Sequence, residues 1–151
     1  MINIQTAPKF QTKIDLTLIM DRIHLTLIYL SISNEDSDFS LVIDDNDYIQ
    51  SLNSRFRQTF SPTDVLSFPA HEVDPESGRI YLGDIIIAFP FVEDQAKLKG
   101  FDIQDEITML IIHGLLHLIG YDHDNTEEKK KMWDKKKDIL SKLNISPNIV
   151  P

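Results

Sequence analysis

The 151-residue chain contains no cysteine. This excludes disulfides and thiolate metal sites, and leaves His, Asp and Glu to hold any bound metal. Long hydrophobic runs are also missing. The longest apolar stretches are broken by Asp, Arg or His, so none reads as a membrane span. Met1 to Gln11 lacks the apolar core of a secretion signal. The expected compartment is therefore the cytoplasm. An excess of positive charge is absent too: 15 Lys and Arg stand against 24 Asp and Glu, a net charge of −9. That balance argues against broad electrostatic adhesion to nucleic acid, which would need a local basic patch instead. Repeats and low-complexity linkers are lacking.

What is present is the composition of a folded domain, with 42% apolar and 26% charged residues. The length suits a single domain over residues 1–151. Leu16 to Ile32 reads as an amphipathic helix carrying Asp21, Arg22 and His24 among apolar positions. Phe39 to Ile43 reads as a short strand, and Asp44 as the cap of a helix reaching about Phe56. Val65 to Phe68 reads as a strand stopped by Pro69. Pro75 to Gly78 is a turn signal. Ile80 to Ala88 reads as a strand buried on both faces, able to pair with the previous one. A helix follows Pro90, from Phe91 to Lys99, and Gly100 ends it. Asp102 to Leu118 is a helix with acids in its first turn and apolar residues almost all round, so it belongs at the centre. Thr126 is placed to cap a last helix through Lys142, with Met132, Ile139, Leu140 and Leu143 along one side. The expected architecture is one layered α/β (α+β) domain, a small mixed sheet packed with about five helices.

The chemistry concentrates between His113 and His123. Three of the five histidines lie within these eleven residues. His113 and His117, four apart on a helix, share one face. Gly120 is suited to the left-handed conformation that ends a helix and turns the chain, which would bring His123 back toward the same point. Three neutral imidazoles plus water form a standard open set for catalytic zinc, so one Zn²⁺ held by His113, His117 and His123 at the end of the central helix is expected. His24 and His71 read as an ordinary helix-face residue and a strand-end residue. The spacing H-x3-H-x5-H also fits the metzincin peptidases, but those carry Glu directly after the first His as general base. Here that position is Gly114. Glu106 shares the His113 face but sits roughly 10 Å along the helix.

The block His113-Gly-Leu-Leu-His117-Leu-Ile-Gly120-Tyr121-Asp122-His123 resembles the signature of the YbeY family of bacterial endoribonucleases and rRNA maturation factors at every fixed position. Thr63-Asp-Val-Leu-Ser-Phe-Pro69 resembles a second family segment and Leu82-Gly-Asp-Ile85 a third. Leu52-Asn-Ser-Arg-Phe-Arg57 resembles the helix that carries a functional arginine, and Arg57 is the matching position. The resemblance runs from about Asp44 to Met132. It implies a single α/β domain, zinc on the three matching histidines, and metal-dependent cleavage of single-stranded RNA. It further implies a role in 16S rRNA 3′-end maturation and ribosome quality control, with rRNA met on the small ribosomal subunit and no DNA substrate. Lys129, Lys130 and Lys131 depart from the family's acidic tendency after the third histidine and read as a solvated helix face.

The residues suit such a reaction. Zinc lowers the pKa of bound water toward about 7 and polarises phosphoryl oxygens. Arg57 offers a bidentate fork for phosphate, so Arg57 and His113 are the candidate catalytic residues. Asp84, Asp122 and Asp124 are candidate proton carriers, with Asp84 also readable as a strand-end residue bonding backbone. Arg55, Arg57, Arg79, Lys97 and Lys99 are the candidates for a basic patch. Two other functions fit the histidines: a metallohydrolase on another substrate such as a peptide, and a non-catalytic ribosome assembly factor.

Overall fold

The computed structural model describes residues 2–56, 64–122 and 125–146; of residues 53–56 it describes the backbone only. The elements run β1 (Ile2–Thr6), a 3-10 segment (Pro8–Lys13), α1 (Leu16–Tyr29), β2 (Ser37–Asp44) and α2 (Asn46–Phe56). They continue with β3 (Val65–Val73), β4 (Ile80–Ala88), α3 (Phe89–Lys99), α4 (Ile103–Leu118) and α5 (Thr126–Lys142). The four strands form one mixed sheet in the order β1-β2-β4-β3. β1 and β4 both run parallel to β2, and β3 closes the sheet antiparallel to β4.

Alternation decides the faces. Phe39, Leu41 and Ile43 of β2, with Ile85 and Ile87 of β4, join the main core beneath α1, α4 and α5. Leu66 and Ile86 turn to the other side, where they pack with Ile49 of α2. α4 lies at the centre, touching α1, α3, α5, β3 and β4. Its buried residues extend from Glu106 to Leu118. Arg22 ties α1 to it, donating to the Thr108 hydroxyl at 2.9 Å and pairing with Asp105 at 3.0 Å.

The expected layered α/β domain with five helices is thus the observed one. Four details differ. Asp44 ends β2, and Asp45 holds the cap position of α2: its carbonyl accepts the Ile49 N–H at 3.3 Å and its carboxylate the Asn46 N–H at 2.8 Å. β1 is an additional strand, whose five residues are too short and too polar to stand out without β2 beside them. Pro69 does not stop β3, which continues to Val73. β3 is an edge strand, where a missing N–H is tolerated, and the ladder shifts between Pro69 and Glu72. His71 sits in that irregularity with φ 53°. Finally, α5 is capped by Asn125, whose side chain accepts from the Glu128 N–H at 2.9 Å, and not by Thr126.

Two glycines permit close approach of backbone. Gly83 has φ 138°, and a Cβ there would stand 2.2 Å from the Phe68 carbonyl oxygen and 2.9 Å from Leu118. In α4, a Cβ on Gly114 would stand 3.0 Å from three atoms of the buried Ile85 side chain. Gly83→Ala is expected to destabilise the protein by roughly 3 kcal/mol or more, because both strain and overlap with backbone oppose it. Gly78→Ala meets nothing within 4 Å at φ 74° and should cost only about 1 kcal/mol. Urea unfolding of the two variants checks the contrast.

Candidate active site

The end of α4 is built as a stop and a return. Gly120, with φ 107°, follows the last helical turn. Its N–H donates to the His117 carbonyl at 3.1 Å, and the Tyr121 N–H donates to the Leu116 carbonyl at 2.9 Å. This pair of bonds satisfies helix-end carbonyls that would otherwise be left unpaired. The turn carries the Tyr121 carbonyl back over the helix to His117 Nδ1 at 3.1 Å. A carbonyl only accepts, so His117 Nδ1 carries the proton and its Nε2 presents a lone pair. That Nε2 faces His113 Nε2 at 3.2 Å. On the far side of His113, Lys136 Nζ lies 3.0 Å from Nδ1. The donors align in one direction, from the lysine through His113 to His117 and on to the backbone.

The two imidazoles meet edge to face, with ring centroids 4.7 Å apart. They open into a cleft of about 370 Å³ walled by Val65, Ser67 and Pro69 of β3 and by Gly120, Tyr121 and Asp122 of the return. Val65 to Pro69 of the T-D-V-L-S-F-P motif therefore supply one wall, and the histidine pair with Gly120 to Asp122 the other. Zinc holds imidazole nitrogens at about 2.0–2.1 Å in a tetrahedron, which sets two such nitrogens roughly 3.3 Å apart. The 3.2 Å separation of the Nε2 atoms fits that requirement, as does the Nδ1 contact of His117 with a carbonyl, which leaves Nε2 to the ion. Among the described residues no three His, Cys, Asp or Glu side chains form a metal-holding group. His123 lies outside the described residues, as do Arg57 and Asp124.

The other candidates divide. Asp122 lines the histidine cleft. Asp84 lies on the opposite face of the sheet, in a recess with Ser40 and Tyr48, where it accepts from the Tyr81 hydroxyl. It does not line the histidine cleft, and its partner is a phenol rather than backbone. His24 and His71 are exposed and do not line the cleft. Glu106 is fully buried and pairs with Lys99 at 3.6 Å; burial raises its carboxyl pKa, opposed by that lysine. Of the expected basic patch, Lys99 is held by Glu106. Arg79 is held by Asp38 at the Val73–Ile80 end of the hairpin, away from the cleft wall. Lys97 is exposed at the end of α3. None of these three lines the histidine cleft, and the Arg55 side chain lies outside the described residues.

Lys136 is a site residue that motif and spacing do not single out. It is 4% exposed. Its sequence signal is a lysine set into the buried stripe of α5, one turn after Met132 and one before Ile139. Burial lowers its pKa from 10.5 to about 8, with the Asp64 carboxylate acting in the opposite sense.

Fold and cleft together define a small mixed α/β domain that presents a histidine pair beside an edge strand. A Thermotoga maritima protein solved in solution has the same fold: TM-score 0.65, 28% identity, 95% of this chain and 89% of that one covered. The family described as "Endoribonuclease YbeY" matches residues 2–144, and the chain belongs to that family. Relatives of that name are similar along most of their length. The Pelotomaculum thermopropionicum protein is 42% identical over 115 residues, covering 74% of this chain and 76% of its own. The Sulfurovum protein is 40% identical over 136 residues, covering 89% and 90%. The Sulfurihydrogenibium protein is 38% identical over 144 residues, covering 95% and 91%.

The lowered Lys136 pKa has a consequence for stability. The unfolded chain keeps the extra proton between pH 8 and 10.5, so folding stability rises with pH across that window. Metal-free wild type should gain roughly 2 kcal/mol relative to Lys136→Met between about pH 8 and pH 10, measured by urea unfolding. A constant difference between the two proteins would refute the assignment.

Proposed function

We propose that this protein is a zinc-dependent endoribonuclease that cuts single-stranded RNA, and that its substrate in the cell is the 3′ end of 16S rRNA on the maturing small ribosomal subunit. The observation that carries the reading is the convergence of the His113 and His117 Nε2 atoms in an open cleft of a YbeY-family chain. Relatives in the family bear the name of an endoribonuclease. The compartment that suits this work is the cytoplasm. Among the described residues no helix is long and apolar enough to cross a membrane.

His113 and His117 would hold the zinc through Nε2, with His123 as third ligand. Bound zinc supplies Lewis-acid activation of water and of a phosphoryl oxygen. The chain's own groups do the rest. The Tyr121 carbonyl keeps the proton of His117 on Nδ1, which leaves Nε2 as a ligand. His113 would present its Nε2 lone pair to the ion in place of its contact with His117. Arg57 would clamp phosphate oxygens as negative charge grows on them. Asp122, which lines the same cleft, would be the carboxylate that accepts a proton.

The peptidase alternative is weakened by Gly114, which has no acid, and the Ile85 contact leaves no room for one. The assembly-factor alternative is weakened by ligand count. A structural zinc would call for four protein ligands, and the sequence offers three.

The test is cleavage of single-stranded RNA by zinc-loaded wild type, His117→Ala and Arg57→Ala, each free of contaminating nuclease, with zinc content measured in parallel. His117→Ala should be folded, zinc-poor and inactive. Arg57→Ala should keep its zinc and lose roughly 10²–10³ in kcat, as for removal of one transition-state charge partner. Equal cleavage by all three proteins would sink the proposal.

A further inference from the structure

An acidic chain that acts on RNA needs a basic surface, and α5 supplies one. Seven of the 15 cationic residues fall within its 17 residues, against four acids, so this helix is net +3 in a chain of net −9. The single tryptophan, Trp133, sits in the middle of it, half-buried. On a helix the residues three and four away are its neighbours. For Trp133 these four positions are Lys129, Lys130, Lys136 and Lys137. Lys129, Lys130 and Lys137 are exposed. Lys137 Nζ stands 5.8 Å from the indole centroid and Lys136 Nζ 5.6 Å. The same Lys136 Nζ is 3.0 Å from His113 Nδ1, so one ammonium separates the indole from the histidine pair.

An aromatic ring among phosphate-binding cations is the arrangement that grips single strands: bases stack on the ring and the backbone tracks the lysines. Charge complementarity selects the occupant, since α5 is the only α-helix of net positive charge among the described residues and it borders the histidine pair. We propose that Trp133 is a stacking platform for a nucleotide of the RNA strand, and that Lys129, Lys130 and Lys137 bind the flanking phosphates. The inference rests on the RNA reading above. It makes Trp133 a substrate-binding residue distinct from the metal-holding histidines.

Because the chain has one tryptophan, its emission reports on this position alone. The experiment titrates the zinc-loaded full-length protein with a 2′-O-methylated oligouridine of about twelve nucleotides, following tryptophan emission and, with a fluorescein label, anisotropy. Emission should be quenched saturably, with the midpoint seen by anisotropy. Trp133→Ala should weaken binding roughly tenfold, Trp133→Phe far less, with the fold of each checked by circular dichroism. Changing Lys129, Lys130 and Lys137 together to Glu, a surface alteration, should weaken binding and lower the slope of log K against log salt by about 0.7 for each phosphate no longer neutralised. Full-affinity binding without quenching, or with Trp133→Ala and the triple variant unaltered, overturns the platform and leaves the nuclease reading standing. Failure of wild type to bind or cut any single-stranded RNA removes both.

Discussion

The site depends on how closely α4 lies against β4. Gly114 presents only hydrogen to Ile85, and that contact sets the helix down onto the sheet. With the helix at this depth, His113 and His117 look out beside Val65, Ser67 and Pro69 instead of standing clear of the sheet. The glycine immediately after the first histidine is therefore a packing residue. Its smallness and the lack of a carboxylate there have one cause, and the same geometry that forms the cleft denies it the base used by zinc peptidases.

The second constraint is the return of the chain. The bonds of Gly120 and Tyr121 end α4 within one residue, and the Tyr121 carbonyl then fixes the tautomer of His117. Local backbone chemistry thus decides which histidine nitrogen is available. Lys136 enters from another helix and makes the opposite kind of contact, a cation behind His113. One histidine is arranged by its own helix end, the other by tertiary packing.

This distinction tracks what is legible in the sequence. The helix over His113 and His117, its glycine stop and the pairing of the two strands around the Pro75–Gly78 turn come from spacing and turn chemistry, which are local. β1 is invisible alone because its ladder partners are 37 residues away in β2. Pro69 reads as a strand breaker until the sheet order places β3 at an edge. Asp84 is one residue from the core position Ile85, and only the pleat reveals that its side chain points to the other face. Arg79 and Lys99 look like surface cations until Asp38 and Glu106 appear beside them. Lys136 looks like part of a solvated lysine run, although its place in the stripe of Met132 and Ile139 marks it as buried.

The irregular course of β3 also bears on association between chains. An exposed, regular edge is a template for another strand, and open sheets aggregate through such edges. Here Pro69 has no N–H to donate, and the ladder shifts between Pro69 and Glu72, around His71 with its φ of 53°. A second copy meets a broken ladder and gains few hydrogen bonds by docking there. The cleft wall formed by Val65, Ser67 and Pro69 thus lies on a strand whose outer edge is a poor template for another strand.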